Sequence, residues 1–191
     1  MMKTTREKLI DATFEEIFSH GYQGASLSDI LAKAGVHKGS MYHFFGSKKE
    51  MALAAIKETV LQYSVQKYGF VETCTQNILE ELYLRLRDTS TRDCKRGCPI
   101  AKMIHEVSNV DEDFNALMSS IYGAFRGSFK TVLDKAIETK ELKPCNTAKL
   151  ALFMTSAVEG AVLAAKASGN MTDYTDVIEE LIEFIESKRY S

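Results

Sequence analysis

Apolar residues recur along this chain at helical spacing. Between Thr5 and His20, Leu9, Ile10, Phe14, Ile17 and Phe18 fall on one stripe, the pattern of an amphipathic helix. Gly21 is expected to end that helix, because left-handed backbone there is cheap only for glycine. Ser26 is placed to cap a short helix over Leu27–Ala34, with Asp29 near its positive end and Gly35 as its stop. A second short helix is expected from about His37 to Phe44, and Ser47 caps a long one starting at Lys48. Two short helices joined by a tight glycine-containing turn, with a first helix across them, have helix–turn–helix spacing.

Further helices are expected at 48–67, 72–88, 99–109, 112–140, 147–168 and 173–188, making about nine. Breaks fall at Tyr68-Gly69, the polar stretch 88–97, the Pro144 region and Ser168-Gly169-Asn170. No stretch alternates with a period of two, so the fold class is all-α. A three-helix domain over 1–50 is followed by a helical domain over 51–191.

With 191 residues, 45% apolar and 26% charged, the chain has an ordinary globular balance. Its two prolines suit long helices. The net charge of −2 excludes a globally basic nucleic-acid coat. However, Lys33, Lys38, Lys48 and Lys49 occur between 33 and 49 without an acid, a local patch suited to a polyanion. The first residues lack an apolar core of the roughly 7–15 residues of a secretion signal. The run Leu150–Ala165 is interrupted and shorter than the ~20 residues of a membrane span. A soluble cytoplasmic protein with reduced thiols and no membrane partner is expected.

Catalytic motifs are missing. There is no phosphate-binding glycine loop, metalloprotease helix or nucleophile elbow, and Cys94 and Cys98 are not in the C-x-x-C redox spacing. The pairs Glu15-Glu16 and Glu80-Glu81 read as charge on solvated faces. Cys94, Cys98 and His105 fit no zinc pattern well, so no metal or other cofactor is expected. A helical adaptor without DNA binding is the remaining alternative.

The run from Gly21 to Met51, GYQGASLSDILAKAGVHKGSMYHFFGSKKEM, resembles the N-terminal domain of TetR-family transcriptional regulators. The resemblance is close over 5–55 and implies a homodimer on palindromic double-stranded operator DNA. Half-sites are then about 34 Å or more apart. It implies phosphate contacts from Tyr42 and Lys48, and base contacts from Lys38, Gly39, Ser40 and His43. Independently, Ser26 and Ser28 at one helix start and the N–H groups at Lys48 could meet phosphates. Phe44 and Phe45 are expected in the core. His37 stands where the family commonly has serine or threonine, which puts a cap in doubt. The small residues of helix 147–168 and the broad apolar face of helix 173–188 suit a four-helix dimer interface.

Two sensor sites are candidates. Cys98 precedes Pro99, so it falls at a helix N-cap near Lys95 and Arg96, where the dipole and charges favour thiolate. Cys94 could act as a resolving thiol. The segment RGCPIAKMIHEVSNVDEDF resembles the NemR-type branch of the family, which responds to electrophiles and reactive chlorine. That resemblance matches Cys98 to the reactive cysteine and Lys166 to a lysine able to favour thiolate or trap an oxidised sulfur. The second candidate is a pocket for an apolar or cationic inducer lined by Met118, Tyr122, Phe125, Met154 and Glu159, the last an acid among apolar neighbours. Plain core packing of these residues is the competing reading. The expected action is repression relieved by one of these sites.

Overall fold

The computed structural model describes residues 3–90, 92–108 and 111–190. Their helices are α1 (Thr5–Gly24), α2 (Leu27–Ala34), α3 (Lys38–Phe44), α4 (Lys48–Tyr68), α5 (Ile78–Arg87), α6 (Pro99–Val107), α7 (Glu112–Glu138), α8 (Thr147–Ser168) and α9 (Thr172–Glu186). No strand occurs among the described residues; Leu142 and Arg189 make an isolated bridge. The all-α expectation is met, and α2 and α8 have the predicted limits.

Local chemistry explains the boundaries. Thr4 and Glu7 form a reciprocal capping box at the start of α1, satisfying two otherwise orphaned N–H groups. Ser26 and Ser47 accept from the N–H groups of Asp29 and Glu50 at 3.1 and 3.0 Å. His37 precedes α3 without a side-chain cap.

Several expected limits need correction: the helix expected at 173–188 runs Thr172–Glu186, and the one expected at 99–109 runs to Val107, residue 109 lying outside the described residues. The helix placed at 72–88 begins at Ile78, after a 3₁₀ turn over Gly69–Glu72. A distant residue sets that start: Glu141 accepts from the N–H groups of Ile78 and Leu79 at 2.9 and 3.0 Å. Helix 112–140 stops at Glu138 because the next turn is used differently, with Lys140 at φ 59°.

Gly21 does more than end a helix. Its φ of 79° and ψ of 164° interrupt α1, yet hydrogen bonding resumes beyond it. A Cβ there would also lie 2.7 Å from Glu106 Cδ. The backbone angles therefore call for glycine, and a side chain there would also displace the Glu106 carboxylate.

The chain forms two compact units, Met1–Tyr63 with Pro99–Ile121 and Ser64–Cys98 with Tyr122–Ser191. In the first, α1 packs on α2, α3 and α6. Leu9, Ile17, Ile30, Met41, Met51 and Ile56 are buried there. Glu16 is buried too, rather than on a solvated face, and accepts from Lys33 at 2.7 Å. That bond holds its carboxyl below the usual range. In the second unit, α8 packs along α9, and Leu82, Phe129, Met154, Tyr174 and Ile178 are among the core.

Helix α8, at 22 residues, is longer than the apolar run measured from sequence and is long and apolar enough to cross a bilayer. Its Leu150, Ala151, Met154, Val158, Ala161 and Ala165 are instead buried in the core of the second unit.

Lys67 is buried beside that core. Burial, helped by the like charge of Arg92 and opposed by Asp88, pushes its ammonium down to about 8.

Two stability predictions follow from these positions. Gly21→Ala is expected to cost about 1–3 kcal/mol and to lower the thermal midpoint by several degrees, measured by circular dichroism. For Lys67, the unfolded chain binds more protons between the depressed folded value and the ordinary lysine value, so stability rises with pH in that window. Lys67→Met should remove the rise and add on the order of 2–3 kcal/mol at neutral pH, read from urea unfolding at pH 7 and 9.5.

Candidate nucleic-acid interface and cysteine site

Helix α3 is held to the first unit through one face. Met41 is fully buried and Phe45, four residues on, is 3% exposed, so the two anchor the segment. Lys38, Gly39, Ser40, Tyr42 and His43 are exposed on the remaining surface. Tyr42 is 52% exposed, which removes it from the core edge. Phe44, expected in the core, is 38% exposed and stacks edge-on with His43 at 5.0 Å; only Phe45 of the pair is buried. Phe44 is the last residue of α3, whereas Phe45 follows it with extended backbone (φ −141°, ψ 125°), so the two rings do not share a face.

Lys38 Nζ lies 5.9 Å from the Tyr42 ring centroid, so a cation and a phenol share one patch of α3. Gly39 has open space where a Cβ would stand. At the start of α2, the Ser26 and Ser28 hydroxyls are 2.8 Å apart, and Ser26 also donates to Asp29 at 2.5 Å.

The other lysines of the basic patch are engaged within the protein. Lys33 pairs with Glu16. Lys49 pairs with Asp111 and Asp113 at 2.7 and 2.6 Å, which holds its ammonium well above the usual lysine range. Lys48 Nζ donates to the Tyr22 carbonyl at 2.6 Å and sits 4.5 Å from the Tyr22 ring centroid. Partial burial lowers its pKa, opposed by Glu106. The structure thus directs the Lys48 ammonium to the end of α1.

Helix α6 grips the same end of α1. Lys102 Nζ donates to the Phe18 and Ser19 carbonyls at 2.5 and 3.4 Å. The Glu106 carboxylate covers Gly21 and accepts from the Gln23 N–H at 3.4 Å. Tyr22 and Phe114 rings meet at 4.7 Å. Sequence reasoning missed these residues, because a lysine and a glutamate four apart on a short helix look like solvated charge.

In the second unit, the loop before α6 turns on Asp93, which accepts from the Lys95, Arg96 and Gly97 N–H groups at 2.8, 3.2 and 3.0 Å. Gly97 has φ 76°, and a Cβ there would meet Lys166 Cδ at 2.9 Å. Lys166 Nζ donates to the Arg96 carbonyl at 3.2 Å, so it reaches the loop that carries Cys98. Cys98 is half-buried, and its S–H donates to Glu159 Oε1 at 3.2 Å. Glu159 and Lys166 lie seven residues apart on α8, hence on one face.

The structure thereby joins Cys98 and Glu159, which sequence reasoning had assigned to different sites. The Cys98 Sγ–Glu159 Oε1 hydrogen bond places a carboxyl group beside the sulfur, a neighbour that helix-dipole reasoning alone did not include. Glu159 is half-buried; loss of hydration raises its pKa, opposed by the Cys98 bond and by Arg92. Cys94 is half-buried against the core, 3.9 Å from the Gly169 carbonyl, and none of the four cysteines is in a disulfide.

The residues of the expected ligand pocket show core packing. Met118 in the first unit and Phe125 and Met154 in the second are buried, and Tyr122 is half-buried. Phe125, Phe129 and Tyr68 close on one another with centroids 5.1–5.9 Å apart. Among the described residues, no group of three His, Cys, Asp or Glu could hold a metal.

Comparison with known proteins matches residues 9–55 to the family model "Bacterial regulatory proteins, tetR family" and residues 78–181 to "Tetracyclin repressor-like, C-terminal domain". The transcriptional repressor NemR of Escherichia coli is 30% identical over 148 residues, 75% of this chain and 72% of that one. An uncharacterised helix-turn-helix regulator of Lactococcus lactis is 31% identical over 63% of this chain and 64% of its own length. The crystal structure of reduced E. coli NemR superposes with a TM-score of 0.83 at 23% identity, covering 93% and 94% of the two chains.

Gly39→Ala separates folding from recognition. With open space at the position, the change is expected to raise stability by up to about 1 kcal/mol. If α3 approaches bases through its backbone, the same change weakens binding to palindromic duplex DNA roughly tenfold or more, measured by fluorescence anisotropy.

Proposed function

This chain is a DNA-binding transcriptional regulator belonging to the tetR family of bacterial regulatory proteins, and we propose that it is a cytoplasmic homodimeric repressor released from a palindromic operator when Cys98 is modified. The observation that carries the reading is the position of Cys98. It hydrogen-bonds to Glu159 on one side and is joined by its peptide bond to Pro99, the first residue of α6, on the other. The likeness to a relative named as a repressor, with a solved structure described as its reduced form, supports the same assignment.

Residues 1–50 read DNA in this proposal, and 51–191 dimerise and sense. Lys38, Gly39, Ser40, Tyr42 and His43 face the major groove and its flanking phosphates. Ser26, Ser28 and the N-terminus of α4 at Lys48 hold the backbone. Dimerisation falls to α8 and α9. Leu152, Phe153 and Leu163 on α8 and Phe184 on α9 are 43%, 48%, 67% and 42% exposed, and Phe153 and Phe184 stack at 5.1 Å. A shared apolar face of that kind is stable in water when a second copy covers it.

Modification adds bulk at a half-buried sulfur and removes the S–H donor from Glu159. Both changes favour a shifted loop and α6 start. Helix α6 passes the shift to the end of α1 through Lys102 and Glu106. The coupling this requires is about 1–3 kcal/mol, the usual range between two linked sites. Lys166 is held at the Arg96 carbonyl, where its amine could condense with a Cys98 sulfenic acid, forming an S–N bond and releasing water.

The deciding experiment is a binding titration on promoter DNA upstream of the protein's own gene. Reduced, N-ethylmaleimide-treated and hypochlorite-treated proteins are compared with Cys98→Ser treated alike. Treatment is expected to weaken wild-type binding about tenfold or more and to leave the variant unchanged. Equal binding by all samples would make Cys98 structural and return the search to a small inducer near Phe125 and Glu159.

A further inference from the structure

A carboxylate buried against apolar helix surface is costly unless it is paired or needed. Glu159 sits between Val158 and Gly160 on α8, and the partner the structure places on its Oε1 is a thiol, an uncharged group. The charge nearby is spent elsewhere. Arg92 acts on Glu159 only through space, its guanidinium lying 4.4 Å from the centroid of the Tyr174 ring. Tyr174, brought by α9, commits its hydroxyl to the Leu86 carbonyl at 2.7 Å. Lys166, two turns along α8, donates to the Arg96 carbonyl. The Glu159 carboxylate is a basic group within hydrogen-bond distance of the Cys98 sulfur, at 3.2 Å.

We propose that Glu159 is the general base that activates Cys98 toward α,β-unsaturated carbonyl compounds. As the electrophile arrives, Sγ bonds to its β-carbon and the S–H proton passes to Glu159 Oε1. The carbon–carbon π pair moves to the α-carbon and carbonyl, and the resulting enolate takes a proton from water. Glu159 ends neutral, the form its burial favours, so the environment that strains the resting carboxylate assists the transfer. A standing thiolate is then unnecessary. The sensor rests as a hydrogen-bonded thiol and ionises only as the carbon–sulfur bond forms. This assignment rests on Cys98 being the sensor, but it concerns the chemistry of the sulfur and is tested without DNA.

The test follows alkylation of Cys98 by N-ethylmaleimide, by peptide mass mapping, between pH 6 and 9. Cys74, Cys94 and Cys145 of the same protein serve as internal controls. In the wild type the Cys98 rate should be nearly flat from pH 7 to 8, since it follows the carboxylate rather than free thiolate. Glu159→Gln, equal in size but unable to take the proton, should react about tenfold or more slowly at pH 7. Its rate should then climb about tenfold per pH unit, as ordinary thiolate formation demands. Glu159→Asp should recover part of the rate.

An equal or faster rate in Glu159→Gln would overturn the proposal, because the carboxylate would then merely restrain the thiol. A wild-type rate that climbs with hydroxide throughout would overturn it as well, with no variant needed. Faster reaction at all four cysteines would mark an unfolded variant, and the wild-type profile then decides. The same alkylated protein is titrated with promoter DNA. Base-assisted alkylation that leaves binding intact would sink Cys98 as the switch while leaving the assignment of Glu159 standing.

Discussion

The constraint on which the first unit depends is the interruption of α1 at Gly21. Breaking a helix orphans the carbonyls just before the break, and buried or half-buried carbonyls need partners. Here Lys102 of α6 supplies the ammonium for Phe18 and Ser19, Lys48 of α4 supplies one for Tyr22, and the carboxylate of Glu106 lies over Gly21 itself. The broken turn is thus a junction where three helices exchange hydrogen bonds. The junction therefore consists of charged side chains bonded to largely shielded backbone, within the unit that also carries α2 and α3.

Lys48 illustrates how one residue can belong to two arrangements. Its place at the start of α4 suits a phosphate, but its ammonium is used inside the protein, where partial burial makes the charge less favourable. Lys49, next to it, is tied to Asp111 and Asp113, beside the start of α7. The basic patch therefore offers DNA less free charge than its lysine count implies.

At the cysteine, the interaction that matters is between two groups with opposite needs. Glu159 loses hydration in the second unit and gains one hydrogen bond from Cys98. The thiol gains an acceptor. Each group sets the state of the other, which is why neither the helix-dipole argument for Cys98 nor the cationic-ligand argument for Glu159 describes the site taken alone. Lys166 is near in the same sense: it holds the loop carbonyl beside the cysteine, and Gly97 is the residue small enough to let it pass.

Much of this protein was legible in its sequence. Helical period, the Ser26 and Ser47 caps and the Gly35 and Gly169 stops are local effects, decided by a few neighbouring residues, and so they located α2 to α4 and α8 closely. The glycine spacing and KGSMYHFF run carried the family and its function. Tertiary structure decided whatever depends on distant partners. Helix α5 starts at Ile78 because Glu141 reaches back to cap it; Glu16 is buried because Lys33 of another helix accompanies it; Phe45 is buried and Phe44 exposed because the chain leaves the helix between them. Lys102, Glu106 and the pairing of Cys98 with Glu159, 61 residues apart, could not be read from local pattern. A charged or polar side chain in a sequence shows what it can bond to, and only the packing of helices shows which partner it meets and how much water it loses.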